Sequence, residues 1–238
     1  MSFVSSDHFV KVTSKMRKSG RLSDAKILLD DGSTFKIHKM LLAMGSSFFE
    51  KMFIRETGKT EYKISMVTFE VMDQILDWMY CHKLALTEEN LPEILKTAHY
   101  LDCFEVVDQC SKYLLDRLDP ENAIGFWNFA VIYQMKELEG KFMSYLTYHF
   151  RAVVKQEEFL ELPVENLIQI LKSDDLNMDE GSIFYALMSW VAHDSKQRLI
   201  CLEDSMKTIR LGCLTPTFFH KAVFKHPIML EAEAKVST

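Results

Sequence analysis

A chain of 238 residues that is 48% hydrophobic and 26% charged has an ordinary globular composition, long enough for two modest domains. Its net charge of −6 argues against a nucleic-acid groove, which needs a basic face. Five scattered cysteines, an odd number, fit reduced thiols rather than a disulfide framework, no apolar run approaches membrane-spanning length, and no signal-peptide core follows the first charges.

The expectation is a cytoplasmic or nuclear protein without a membrane partner. Eight Gly and five Pro are too few for a turn-dense all-β fold. Fourteen Met supply adaptable packing, for a core or for a partner surface.

The first predicted element is a helix. Ser5-Ser6-Asp7 are capping residues, and Phe9, Val10, Val12, Thr13 and Met16 recur at helical spacing up to Gly20. Lys11, Lys15, Arg17 and Lys18 form its solvated side, yet its apolar surface exceeds what a lone surface helix needs. A hairpin follows. Ile27–Leu29 and Phe35–Ile37 are β-prone and joined by Asp30-Asp31-Gly32-Ser33, whose Asp-Gly suits a tight turn. Met40, Leu41, Ala43 and Met44 then give one or two helical turns, broken near Gly45-Ser46. Ser46 or Ser47 is placed to cap a second helix carrying Phe48, Phe49, Met52 and Phe53. Residues 54–61 read as a polar loop, and the alternation of Tyr62–Met66 as a third strand.

Thr68 opens a helix with Phe69, Val71, Met72, Ile75, Leu76, Trp78, Met79 and Tyr80 inside. Two more follow: one opened by Thr87–Asn90 and reaching Leu101, and one from Phe104 to Leu118. Asp119-Pro120-Glu121 marks a boundary, with Asp119 as cap and Pro120 in the first turn of a new helix. Everything beyond reads helical. Asn122–Ala130 and Leu138–Leu146 form a helical hairpin, further elements are interrupted at Pro163, and a helix through Ile183, Phe184, Leu187 and Trp190 follows.

Catalysis finds little support. The chain has no Gly-rich phosphate loop, no Gly-x-Ser-x-Gly and no His-Glu-x-x-His. Cys103 and Cys110 lack zinc-type spacing. The adjacent carboxylates Glu157-Glu158 and Asp174-Asp175 diverge by about 100° on a helix, and His220 and His226 only flank a basic turn. No catalytic residue, metal, cofactor or small-molecule substrate is expected.

Ordered motifs carry a resemblance. Leu22-x-Asp24, Phe35-x-x-His38-Lys39, Leu41-Leu42-Ala43, Ser47, Phe49 and Met52-Phe53 resemble the BTB (POZ) domain. So do the Phe69–Tyr80 helix, Ala98-x-Tyr100-Leu101 and Cys110-x-x-Tyr113-Leu114, although Cys81-His82-Lys83 stands where that pattern has Thr-Gly. His38 reads as a core histidine bonded to backbone. Farther on, Phe129-Ala130, Phe159-Leu160-x-Leu162, Ser173-Asp174-x-Leu176, Trp190-Val191-x-His193-Asp194, Arg198, Ile209-Arg210 and Leu214-x-Pro216 are similar to a BACK domain. The whole looks like a kelch-like protein whose kelch repeats are not in this chain.

The resemblance implies an α+β fold, a small mixed sheet with clustered helices over 1–118, followed by an all-α BACK domain over 119–238. Residues 119–150 would form its first helical hairpin. It implies a non-enzymatic homodimer that recruits cullin-3 and holds a protein target for ubiquitylation; the alternative is a cytoskeletal or transcription-related oligomerisation scaffold without cullin binding. Phe3, Val4, Phe9, Val12, Met16, Asp24, Lys39 and Leu42 would form the dimer interface, with Asp24 and Lys39 as a buried charged pair. Ile54-Arg55-Glu56 has the family's hydrophobic-x-Glu form, and Phe49, Ile54, Glu56, Tyr62, Tyr100, Asn122 and Phe126 would face cullin-3.

Overall fold

The computed structural model describes residues 6–236, with side-chain surroundings from 8 to 232. The chain divides into two compact units, residues 1–117 and 118–238. The first unit is α+β. Helix α1 (Ser6–Ser19) packs on α4 (Phe69–Cys81). Thr13 Oγ donates to the Tyr80 carbonyl at 2.6 Å, and the Arg17 guanidinium reaches Asp73 at 2.6 Å and Asp77 at 2.7 Å.

Strands β1 (Ala25–Leu28) and β2 (Thr34–Ile37) are antiparallel, with Ile27 opposite Phe35. Gly32 takes φ +84° in the turn between them, a conformation that costs glycine little. Strand β3 (Glu61–Lys63) lies parallel to β1, so the sheet order is β2-β1-β3 with β2 at one edge. Buried and exposed residues alternate along each strand, which puts Ile27, Phe35, Ile37 and Tyr62 against the helices.

The third strand is shorter than its alternation predicts. It ends at Lys63, and Met66 turns away at φ +62°, its N–H donating to the Asp30 carboxylate at 2.9 Å. Helices α2 (Lys39–Gly45) and α3 (Ser47–Arg55) follow the predicted break. Helix α3 keeps Ile54 and Arg55 in its last turn, so the expected loop starts later, and Glu61 already belongs to β3. Phe69 is not inside: it is 42% exposed and stacks on Phe35 with ring centroids 4.7 Å apart. At the end of α4, His82 adopts a left-handed φ of 52°, the position a helix-terminating glycine usually takes.

Ser46 and His38 fasten this unit. Ser46 Oγ accepts from the Phe49 N–H at 3.1 Å and donates to the buried Leu101 carbonyl at 2.5 Å, so it caps α3 and ties it to the end of α5 (Leu91–Tyr100). Ser46→Ala is therefore expected to cost about 1–3 kcal/mol, read as a shift in urea unfolding midpoint. In neutral His38, Nε2 donates to the Arg21 carbonyl (2.8 Å), which leaves Nδ1 to accept from the Tyr80 hydroxyl (2.8 Å). Burial pushes the Tyr80 phenol up to about 12, so it stays a proton donor. Helix α6 (Phe104–Leu115) stops before Leu118.

The second unit is helical. Its first helix, α7 (Ala123–Ile132), starts later than the Asp-Pro-Glu signal suggests. Asp119 and Asn122 close a turn instead: the Asp119 N–H donates to Asn122 Oδ1 at 2.9 Å, and Pro120 lies within that turn. α7 pairs with α8 (Lys136–Tyr148) through buried Trp127, Ala130, Phe142 and Leu146. After α9 (Phe150–Val153), Pro163 separates α10 (Glu157–Leu160) from α11 (Val164–Leu171). The apolar α12 (Glu180–His193) buries Phe184, Leu187, Trp190 and Val191 and is capped by Asp179 accepting from the Ser182 N–H.

Candidate partner-binding surfaces

No partner chain is present, so the surfaces are defined by what each unit leaves uncovered. On α1, Phe9 is 49% and Val12 40% exposed, while Met16 is half-buried. Phe3 and Val4, also expected at a dimer interface, lie outside the described residues. Leu42 does not share this face. It is fully buried in its own unit, because the apolar side of α2 turns inward there.

Asp24 and Lys39 do not form the expected charged pair. Asp24 is exposed, and its carboxylate accepts from the Lys39 backbone N–H at 2.9 Å, at the first turn of α2. The Lys39 ammonium swings away to the Lys59 carbonyl at 2.6 Å and lies over the Tyr62 ring at 5.2 Å. A carbonyl and an aromatic face together draw the cation off. Met40 and Met44, one helical turn apart, are exposed with Leu22. Their four-residue spacing was the signal that could have marked them as one outward face.

The residues expected to face cullin-3 separate into two groups. Phe49 and Tyr62 are buried and present no surface to a partner. Phe49 packs against Phe48 and Phe53, while Tyr62 points its hydroxyl at the Lys59 and Glu56 carbonyls. Ile54 is 68% exposed at the end of α3. Two residues on, Glu56 is held by Lys59 at 3.0 Å and Arg55 at 3.3 Å, and the Lys59 hydrogen bond holds its carboxyl below the usual range. Tyr100 is half-exposed, its ring 5.4 Å from Phe48. Phe104, expected only as the start of a helix, is also strongly exposed. Asn122 and Phe126 belong to the second unit and are partly covered, Phe126 by the Phe142 ring at 5.8 Å.

Burial pushes the thiols of Cys103 and Cys110 up to about 12, far from the thiolate character a nucleophile needs. Among the described residues no three His, Cys, Asp or Glu side chains are grouped to hold a metal ion, and no helix is long and apolar enough to cross a membrane.

The comparisons with known proteins fall on the same two regions. The BTB/POZ domain family model matches residues 13–118, and the BACK (BTB And C-terminal Kelch) model matches residues 123–224. The chain is 35% identical over 217 residues to mouse Kelch repeat and BTB domain-containing protein 8, covering 89% of this chain and 36% of that protein. It is 34% identical over 218 residues to human Kelch-like protein 6, covering 90% of this chain and 35% of that one. It thus spans about a third of the length of these relatives. The solved BTB domain of zebrafish PATZ1 is 25% identical, with a TM-score of 0.44 over 49% of this chain and 98% of that one. BTB domains commonly mediate self-association and protein interaction; this chain carries a BTB domain followed by a BACK domain and is a BTB–BACK protein whose homologues are kelch-like proteins.

Proposed function

We propose that the chain is a non-enzymatic adaptor that pairs with a second copy of itself, engages cullin-3 and holds a protein target for ubiquitylation. The observation that carries this reading is the conjunction of BTB and BACK domains with an exposed Ile54 two residues before an anchored Glu56. An apolar side chain already solvent-facing and a carboxylate already ordered reduce what must be immobilised on binding. Phe9, Val12, Met40 and Met44 are the outward apolar residues offered to the second copy. Its unpaired cysteines suit the reducing cytoplasm or nucleus.

Calorimetry with a cullin-3 amino-terminal fragment tests the cullin contact. If Ile54 fills an apolar pocket and Glu56 orients it, Ile54→Ala combined with Glu56→Ala weakens binding about 30-fold or more. Full-strength binding by that variant would place the contact elsewhere. A folded dimer with no affinity for cullin-3 would favour the oligomerisation scaffold.

A further inference from the structure

A cleft of about 450 Å³ opens beside the sheet edge of the first unit, between the end of α1, strand β2 and α4. Its size lies within the range of ligand clefts, about 300–1,000 Å³. Phe35, Leu76 and Tyr80 form an apolar floor, and the half-exposed Phe69 ring, stacked on Phe35, forms one wall. Lys18 and Lys36 stand on it with no ion-pair partner among the described residues. Arg17 also lines it. Its two terminal nitrogens are taken by Asp73, whose carboxylate also lines the cleft, and by Asp77, so these charges offset one another.

β2 carries β1 on one side and no strand on the other among the described residues. An open strand edge offers backbone donors and acceptors to an extended segment. With Asp73 neutralised by Arg17, the two unpaired lysines above an apolar floor select a carboxylate next to an apolar side chain. We propose that this cleft binds an extended peptide segment of a partner protein, with an apolar side chain on the Phe35–Phe69 pair and an adjacent carboxylate between Lys18 and Lys36. The proposal concerns the first unit alone and is independent of cullin binding.

Fluorescence anisotropy tests it with labelled five-residue peptides, Ser-Φ-Φ-Glu-Ser with Val, Leu or Phe as Φ, against the same peptides with Gln for Glu. The full chain should bind at least one Glu peptide saturably and its Gln counterpart about tenfold more weakly. Phe69→Ala, and Lys18→Glu combined with Lys36→Glu, should each lose about tenfold or more. Lys83→Glu with Lys96→Glu, the same charge change on lysines of the first unit that do not line the cleft, should bind as the parent does. No saturation by any peptide up to about 1 mM, equal binding of the Gln peptides, or an equal loss in the control variant would overturn the proposal. So would a change in light-scattering mass for Lys18→Glu with Lys36→Glu, which would make the cleft a contact between copies.

Discussion

Replacing Phe49 with alanine is expected to remove about 3–5 kcal/mol of folding stability. The ring is fully buried, stacked on Phe53 at 5.7 Å and edge-on to Phe48 at 5.5 Å. Truncation removes its transfer free energy and leaves a cavity that the surrounding rings and helices can only partly fill. Against a typical total of about 5–15 kcal/mol, that is a large fraction. The check is urea unfolding, followed by hydrogen exchange in α2 to α6. Phe104→Ala serves as the comparison, because its 69% exposure predicts a change within about 0.5 kcal/mol. A Phe49 variant that unfolds like the parent but binds cullin-3 poorly would return Phe49 to the partner surface.

In the second unit, Arg198→Ala is expected to cost about 2–4 kcal/mol. Arg198 lies at the end of α13 (Ser195–Arg198), where one guanidinium nitrogen donates to the Leu160 carbonyl at 2.6 Å and the Trp190 carbonyl at 2.7 Å. The guanidinium also lies 4.1 Å from the Trp190 ring. The Trp190 indole N–H donates to the Leu162 carbonyl at 2.9 Å, so the same corner joins α10, α12 and α13. Removing the arginine leaves carbonyls without their charged donor and the ring without its cation. Arg198→Lys should recover only part of the loss, since a point ammonium does not stack as the planar fork does. A melting curve unchanged by Arg198→Ala would show that the corner is held by packing alone.

Much of the architecture was legible because local chemistry and tertiary structure agree. Asp31-Gly32 forms the hairpin turn, Ser46 caps α3, and the apolar spacing of Val71 to Tyr80 gives a buried helix. The failures arise where a side chain claims a backbone group that the local pattern assigns to a helix or strand. Met66 looks like strand, but its N–H is claimed by Asp30, far away in sequence. Pro120 looks like a helix start, yet Asp119 and Asn122 satisfy each other in a turn first.

The site was less legible than the fold. The resemblance assigns Leu42, Phe49 and Tyr62 to partner surfaces, but periodicity does not say what covers an apolar residue, and their own unit buries all three. Met40 and Met44 read as ordinary helix positions when nothing in the unit covers them. Charges mislead similarly. Asp24 and Lys39 do meet, but through a backbone N–H, while the long lysine side chain finds a carbonyl and a ring elsewhere. Sequence places a charge at a position; the reach of its side chain is set by the fold.

The adaptor reading requires that two copies of this chain and cullin-3 assemble together. Light scattering coupled to size-exclusion chromatography measures that directly, on the full chain alone and with an excess of a cullin-3 amino-terminal fragment. The account predicts twice the chain mass for the protein alone at micromolar concentration, and a complex of two chains with two fragments when mixed. A monomer alone, or a dimer whose mass the fragment leaves unchanged, would contradict it.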